Sequence, residues 1–277
     1  MRKTRTLVLL VTLFLSLTAP PAVARESGTT AAGPAAVRAE TLTQVIGDPV
    51  TTPSSNTTQF FEARVSCPAG QTPTGGGPKV SPSYNALTMI SSYAIGGTWI
   101  VTAKSNSSTD GTLWATAICS TEPHSQVFNG PLAVPARSEG GLSAQCPPGQ
   151  YATGGGGRTD LGSVSVMETF AGGNDLNDRW SYYINNPTGM THYVEPFVVC
   201  SSSPHHHYWG DDVSLPLFHG TAGSVKYCPS GSVTGGGGFA LGTSLYESSA
   251  WGNGWLASAV NESAGHSVLH TEVVCKD

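Results

Sequence analysis

His205-His206-His207, followed by Asp211 and Asp212, is the densest group of metal-binding side chains in the sequence. In an extended segment side chains alternate, so His205 and His207 point to one side and would offer two imidazole nitrogens to a zinc ion. No second ligand pair at zinc-like spacing accompanies them, and the stretch also reads as a polar junction, so no metal or other cofactor is expected. Asn174-Asp175-Leu176-Asn177-Asp178 gathers oxygens suited to calcium but lacks the glycine and distal glutamate of an EF-hand loop; it reads as a solvated turn. Three glycine runs, starting at Gly75, Gly154 and Gly235, look like phosphate cradles, yet such a cradle needs Gly-Lys-Ser/Thr at the mouth of a helix. Here the runs lead to Pro78, Arg158 or Phe239. There is no Gly-x-Ser-x-Gly elbow, no His-Glu-x-x-His pair and no recurrent carboxylate pair for hydrolysis. These residues point to a binding protein rather than an enzyme.

The glycine runs belong to a larger pattern that must position whatever the chain binds. Cys67-Pro-Ala-Gly70, Cys146-Pro-Pro-Gly149 and Cys228-Pro-Ser-Gly231 each lead through a threonine (Thr74, Thr153, Thr234) into the run. Trp99, Trp180 and Trp255 each stand 20 residues before a second cysteine, Cys119, Cys200 or Cys275. Upstream, Thr43-Gln44-Val45-Ile46 matches Ser125-Gln126-Val127-Phe128 at a distance of 82 residues. The chain therefore holds three divergent copies, over 44–124, 125–205 and 206–277, that form one compact domain. Two pairings of the six cysteines repeat equally well. One joins Cys67 to Cys119, Cys146 to Cys200 and Cys228 to Cys275; the other joins Cys119 to Cys146, Cys200 to Cys228 and Cys67 to Cys275. The first is preferred because it ties each copy to itself.

Arg2, Lys3 and Arg5 precede an apolar run from Leu7 to Leu17 and the small-residue site Ala22-Val23-Ala24, the pattern of a secretory signal over residues 1–24. The expected location is extracellular, where six cysteines pair. Removing the signal takes the formal charge from −5 to −8, which leaves no basic footprint for nucleic acid, and no later segment is apolar enough to insert in a membrane. Residues 25–43 lie outside the repeat and read as a flexible arm. With 11% charged residues, 34 glycines and 19 prolines, the composition suits short strands and turns. Alternation in Trp99/Val101/Ala103 and Leu113/Ala115/Ala117/Cys119 gives four or five strands per copy, each sheet burying one face. The fold class is all-β: antiparallel strands in three copies about a pseudo-threefold axis, as in a β-prism, with one disulfide per copy. In this arrangement the glycines allow close backbone approach near the axis.

The order Cys-Pro-x-Gly, glycine-rich strand, closing cysteine resembles units common in secreted proteins of filamentous actinobacteria. It is similar in outline to the vitelline membrane outer layer protein, which implies a three-faced β-prism. The Asp-Asp-Thr-Ala-Leu-Asn stretch of that protein is absent here. Signal, arm and repeat body also resemble the adaptor subunits of umbrella-shaped antibacterial toxin particles, which implies a role joining other secreted proteins. The expected contact residues lie where the copies disagree: Tyr84, Tyr93, Phe170, Tyr246 and Trp251 in the variable stretches, and Arg38 and Glu40 in the arm. The three tryptophans in register belong to the core. The alternatives are a glycan-binding lectin, with glycans as partners, and an inhibitor of an extracellular protease.

Overall fold

The structure is a computed structural model that describes residues 40–54, 58–81, 87–105, 109–171 and 177–277; Arg38 and Tyr84 lie outside them. The described residues are all-β, with no helix. The first copy contains β1 (Leu42–Ile46), β2 (Val50–Thr52), β3 (Gln59–Ser66), β4 (Thr72–Ser81), β5 (Thr88–Ile95), β6 (Thr98–Ser105) and β7 (Gly111–Ser120). The second repeats this order as β8 (Ser125–Phe128), β9 (Leu132–Val134), β10 (Ser138–Gln145), β11 (Tyr151–Thr159), β12 (Ser165–Ala171), β13 (Arg179–Asn186) and β14 (His192–Ser201). The third does so as β15 (His206–Trp209), β16 (Val213–Leu215), β17 (Thr221–Tyr227), β18 (Ser232–Phe239), β19 (Ser244–Trp251), β20 (Gly254–Val260) and β21 (Ser267–Lys276). Each copy thus has seven strands, where four or five were expected. The excess is the leading pair of short strands, such as β1 and β2 around Gly47-Asp48-Pro49, too brief to show a period of two. β1 also begins at Leu42, inside the segment read as an arm.

Within a copy two sheets face each other. In one, β7 lies between β4 on one side and β1 and β2 on the other; in the second, β6 lies between β3 and β5. The Trp99 indole packs on the glycine strand so closely that a Cβ on Gly76 would fall 2.5 Å from it; Gly155 with Trp180 and Gly236 with Trp255 repeat the contact at 2.3 Å. All three indoles are fully buried. Each keeps its N–H satisfied by a hydroxyl: Ser92 at 3.0 Å, Thr169 at 2.9 Å and Ser248 at 2.9 Å. The disulfides are Cys67–Cys119, Cys146–Cys200 and Cys228–Cys275, and each staples the two sheets of one copy. On the chain-entropy model such loops are worth about 4 kcal/mol each. The glycine of each Cys-Pro-x-Gly, with φ of 81°, 81° and 67°, turns the chain from one sheet to the other, a conformation open to glycine.

The copies were expected to form separate sheets, and they do not. The glycine strand of the second copy continues the first copy's sheet, with Gly157 opposite Ser92 on β5. The glycine strand of the third likewise continues the second's, with Phe239 and Gly238 opposite Glu168 and Thr169 on β12. Between the third and first copies, β19 lies against β4 just as closely: a Cβ on Gly77 would sit 1.9 Å from the Ser248 carbonyl oxygen. No ladder pairing joins these two strands among the described residues. Pro78 stands where Gly157 and Gly238 stand, four residues after the repeated threonine, and has no N–H to give. The contacts between copies therefore run in cyclic order.

At the centre of the cycle, the Thr74 hydroxyl donates to the Thr234 carbonyl (2.6 Å), Thr153 to Thr74 (2.8 Å) and Thr234 to Thr153 (3.4 Å). Gly75, Gly154 and Gly235 meet there backbone to backbone, so that a Cβ on any one would fall within 2.9 Å of the next glycine's Cα. One buried cluster draws Met89 and Ile90 from the first copy, Val166 and Tyr182 from the second and Leu245 and Ala257 from the third. Such a core cannot be completed by one copy.

Gly235→Ala is expected to lose about 3 kcal/mol or more, because its Cβ meets backbone that cannot move aside. Gly97→Ala, at an exposed site with nothing near its Cβ, should stay within about 0.5 kcal/mol of the parent. Urea denaturation of both variants checks the contrast.

Candidate functional site

The residues singled out from the sequence are not brought to one place. Glu40 is not on a free arm: its carboxylate is nearly buried, paired with Lys276 and accepting a hydrogen bond from the Ser120 hydroxyl. Lys276 also reaches Glu122 at 2.8 Å, and this hydrogen bond holds the Glu122 carboxyl below its ordinary range. The first described residue is thereby tied to the last strand. Tyr246 is a core residue, 5% exposed, and Trp251 is half exposed at the end of β19. Tyr93 and Phe170 are half-buried where copies meet.

His205 and His207 take separate partners. His205 is buried, its Nδ1 2.8 Å from the Ser203 carbonyl, and burial pushes its pKa down to about 4, so it is neutral at physiological pH. His207 Nδ1 lies 3.2 Å from a buried Glu272 oxygen. Both Nε2 atoms are buried without a partner, and among the described residues no group of three or more His, Cys, Asp or Glu side chains is placed to hold a metal ion. Of the oxygen-rich turn, residues 174–176 lie outside the described residues; Asp178 pairs with Arg179 at 3.3 Å and accepts the Gln145 amide at 2.7 Å. His192 beside Asp160 (3.2 Å) has the outline of two-thirds of a triad, but its Nε2 is buried with no hydroxyl partner.

The side chains that do converge lie at the three seams between copies, at equivalent positions. The residue five after the repeated threonine is Lys79, Arg158 or Phe239, and across the ladder from it stands Trp114, Glu195 or His270. The end of the first short strand brings Ile46, Phe128 or Trp209, and the neighbouring copy brings Ser249, Tyr93 or Phe170, each one residue before an alanine facing the Trp strand. In the seam between copies one and two, Tyr93 meets Phe128 edge-on at 6.3 Å, and Arg158, paired with Glu195, sits 5.1 Å above the Phe128 ring. In the seam between copies two and three, Phe170 lies 5.5 Å from Trp209 and 5.6 Å from Phe239. There Phe239 stacks on His270 at 4.5 Å, and His270 bonds Asp212 at 2.9 Å. Among the described residues the seam between copies three and one has no such cluster. It holds a cleft of about 220 Å³ lined by Gln44, Val45, Ile46, Lys79, Thr116, Ala117 and Ala250. Gln44 closes one side by donating its amide to the Gly252 carbonyl (2.6 Å), the bond that Gln126 makes to Gly96 (2.7 Å) one seam earlier.

No protein-family model matches the chain. No curated protein matches it either.

Sequence reasoning missed Phe128, Arg158, Trp209 and Phe239 as a set because each cluster is assembled from two copies and four strands. A signal was present in the position five after each threonine, where the copies keep register and change residue type. It also missed Glu247, which lies beside the cleft at the same seam. Glu247 is 5% exposed, and burial raises its carboxyl to about 7, only partly offset by the Lys79 ammonium and a hydrogen bond from the Val80 backbone. Ser91 fills the equivalent place in the first copy with a neutral hydroxyl that accepts the Thr159 N–H at 3.0 Å.

In the unfolded chain Glu247 ionises near 4.5, whereas the fold holds its proton to about 7. Below 4.5 it is protonated in both states and costs nothing; as pH rises to 7 the folded state loses ground, and above 7 the loss is constant. Glu247→Gln should therefore match the parent near pH 4 and exceed it by about 3 kcal/mol at pH 8. Denaturation at the two pH values measures the difference; an equal effect at both would show that Glu247 is not the group whose proton is retained.

Proposed function

We propose that the chain is a secreted, non-catalytic scaffold that joins other secreted proteins. The three disulfides suit an oxidising compartment, and the leader over residues 1–24 suits export. The observation that carries the reading is the difference among the seams. One frame, repeated three times, presents an aromatic cluster with a histidine, an arginine stacked on phenylalanine, and an open cleft with a lysine. A lectin built by repetition keeps one polar and aromatic set in each copy; a scaffold that touches different proteins has reason to differ at each face. The resemblance to adaptor subunits of umbrella-shaped toxin particles agrees with such a role. Glu40, the first described residue, is held to the body by Lys276 and Ser120.

One observation favours the lectin reading. A cleft of about 300 Å³ sets Tyr193, half exposed, beside Arg158, Asp160 and Glu195, groups that suit a sugar's ring face and hydroxyls. The two readings separate in one experiment, in which the tagged mature protein is recovered from native culture supernatant and its companions identified by mass spectrometry. The scaffold reading expects stable secreted partners, at least one of them lost when residues 25–39 are deleted while the melting temperature stays unchanged. A lone monomer that binds a glycan array would replace the scaffold with the lectin.

A further inference from the structure

The open seam between copies three and one is best understood from its two filled equivalents. Where the seam between copies one and two has Phe128, Tyr93 and Phe197, this seam has Ile46, Ser249 and Thr116. Phe128 and Phe197 are in contact at 4.8 Å, so the replacements remove two packed rings as well as Tyr93. The space is the cleft described above, and Ile46 at its edge is 54% exposed. The charge has changed as well. Arg158 has Glu195 across the ladder, while Lys79, in the same position, has Trp114 there and forms no ion pair among the described residues. Among the described residues this seam has no ring at the positions of Phe128, Tyr93 and Phe197, and its cation faces Trp114 across the ladder where Arg158 faces a carboxylate; the Glu247 carboxyl within electrostatic reach of Lys79 is itself buried.

We infer that this cleft is a docking site for a partner protein segment that presents an aromatic side chain next to an acidic one, the ring entering beside Ile46 and Thr116 and the carboxylate pairing with Lys79. The chain cannot supply this group from its own arm, because residues 25–39 contain no aromatic residue. The ring would regain the apolar contacts that its equivalents make inside the other seams, and the carboxylate would meet a cation held in place by the ladder. Half-exposed Trp251 follows Ala250 at the rim and adds apolar surface to the approach. The inference rests on the scaffold reading and assigns that reading one face.

The test uses the mature full-length protein and two-dimensional NMR, with acetyl-Glu-Phe-Glu-amide as probe. Saturable shifts are expected at Ile46, Lys79, Thr116 and Ala250. Acetyl-Glu-Ala-Glu-amide and acetyl-Lys-Phe-Lys-amide should bind at least tenfold more weakly, and added salt should weaken the first probe. Ile46→Trp, which places at this exposed position the residue type of Trp209, should fill the cleft and reduce affinity at least tenfold. Lys79→Glu should do the same and reverse the preference toward the lysine peptide. No saturable shift up to about 10 mM, shifts centred elsewhere, or unchanged affinity in Ile46→Trp would overturn the site. Self-association of the parent that Ile46→Trp abolishes would assign the cleft to a second copy and overturn the partner. Recovery from culture supernatant separates this inference from the reading beneath it. Partners held equally by parent and Ile46→Trp leave the scaffold standing and the cleft wrong. Peptide binding without any recovered partner leaves the cleft standing and the scaffold wrong.

Discussion

Three backbones meet at Gly75, Gly154 and Gly235 with no space between them for a methyl group, and most of the fold follows from that contact. The strand that makes it is crowded on both faces. The first glycine of each run faces the equivalent glycine of the next copy, the second lies under its own copy's indole, and the third faces the carbonyl of a neighbouring strand. Each glycine in the run therefore answers a different neighbour, which is why three in succession recur in every copy. The threonine before them completes the junction by donating its hydroxyl to the equivalent carbonyl of another copy, so the polar backbone at the centre is satisfied without water.

A junction of this kind has to close, and the closing seam is built differently from the other two. Pro78 removes the N–H at the position where the equivalent glycines take part in pairing, and the two copies it joins lie at opposite ends of the chain. Other bonds hold this seam: Gln44 to the Gly252 carbonyl, and Lys276 to Glu40 and Glu122. Glu247 acts against them, because its carboxyl is buried; the second copy has Glu168 at the equivalent position and the first has Ser91.

The parts legible in the sequence are those that each copy repeats within itself. The buried tryptophans and close approach at the glycines follow from comparing the copies, because local spacing carries them, while the cysteine pairing found is the preferred one of two that the spacing allows equally. What local spacing could not carry was any contact whose partner lies in another copy. Sheet sharing depends on which edge strand meets which, and nothing in β5 or β11 alone announces the other. Tyr246 was grouped with the contact aromatics because its segment varies in length, yet it joins a core cluster built mostly from the first copy. Glu40 was assigned to the arm because residues before the repeat look unstructured, yet its partner Lys276 lies 236 residues away. Alternation placed His205 and His207 on one side, but it could not show that burial leaves His205 neutral while His207 faces a carboxylate.

The same comparison shows where this architecture is free to change. A residue facing the centre must be glycine, one facing the neighbouring sheet must accommodate an indole, and the cysteines must meet their partners. The position five after each threonine has none of these duties, since it lies past the glycines and half exposed at the seam, and there lysine, arginine and phenylalanine stand in for one another. Its neighbours Ile46, Phe128 and Trp209 vary with it, and in the two filled seams these positions are linked by contacts. Where they are in contact, a change at one alters what the others can pack against. Diversity at the seams is thus a consequence of rigidity at the centre: the closed threonine–glycine junction fixes where each seam lies, and leaves its chemistry open.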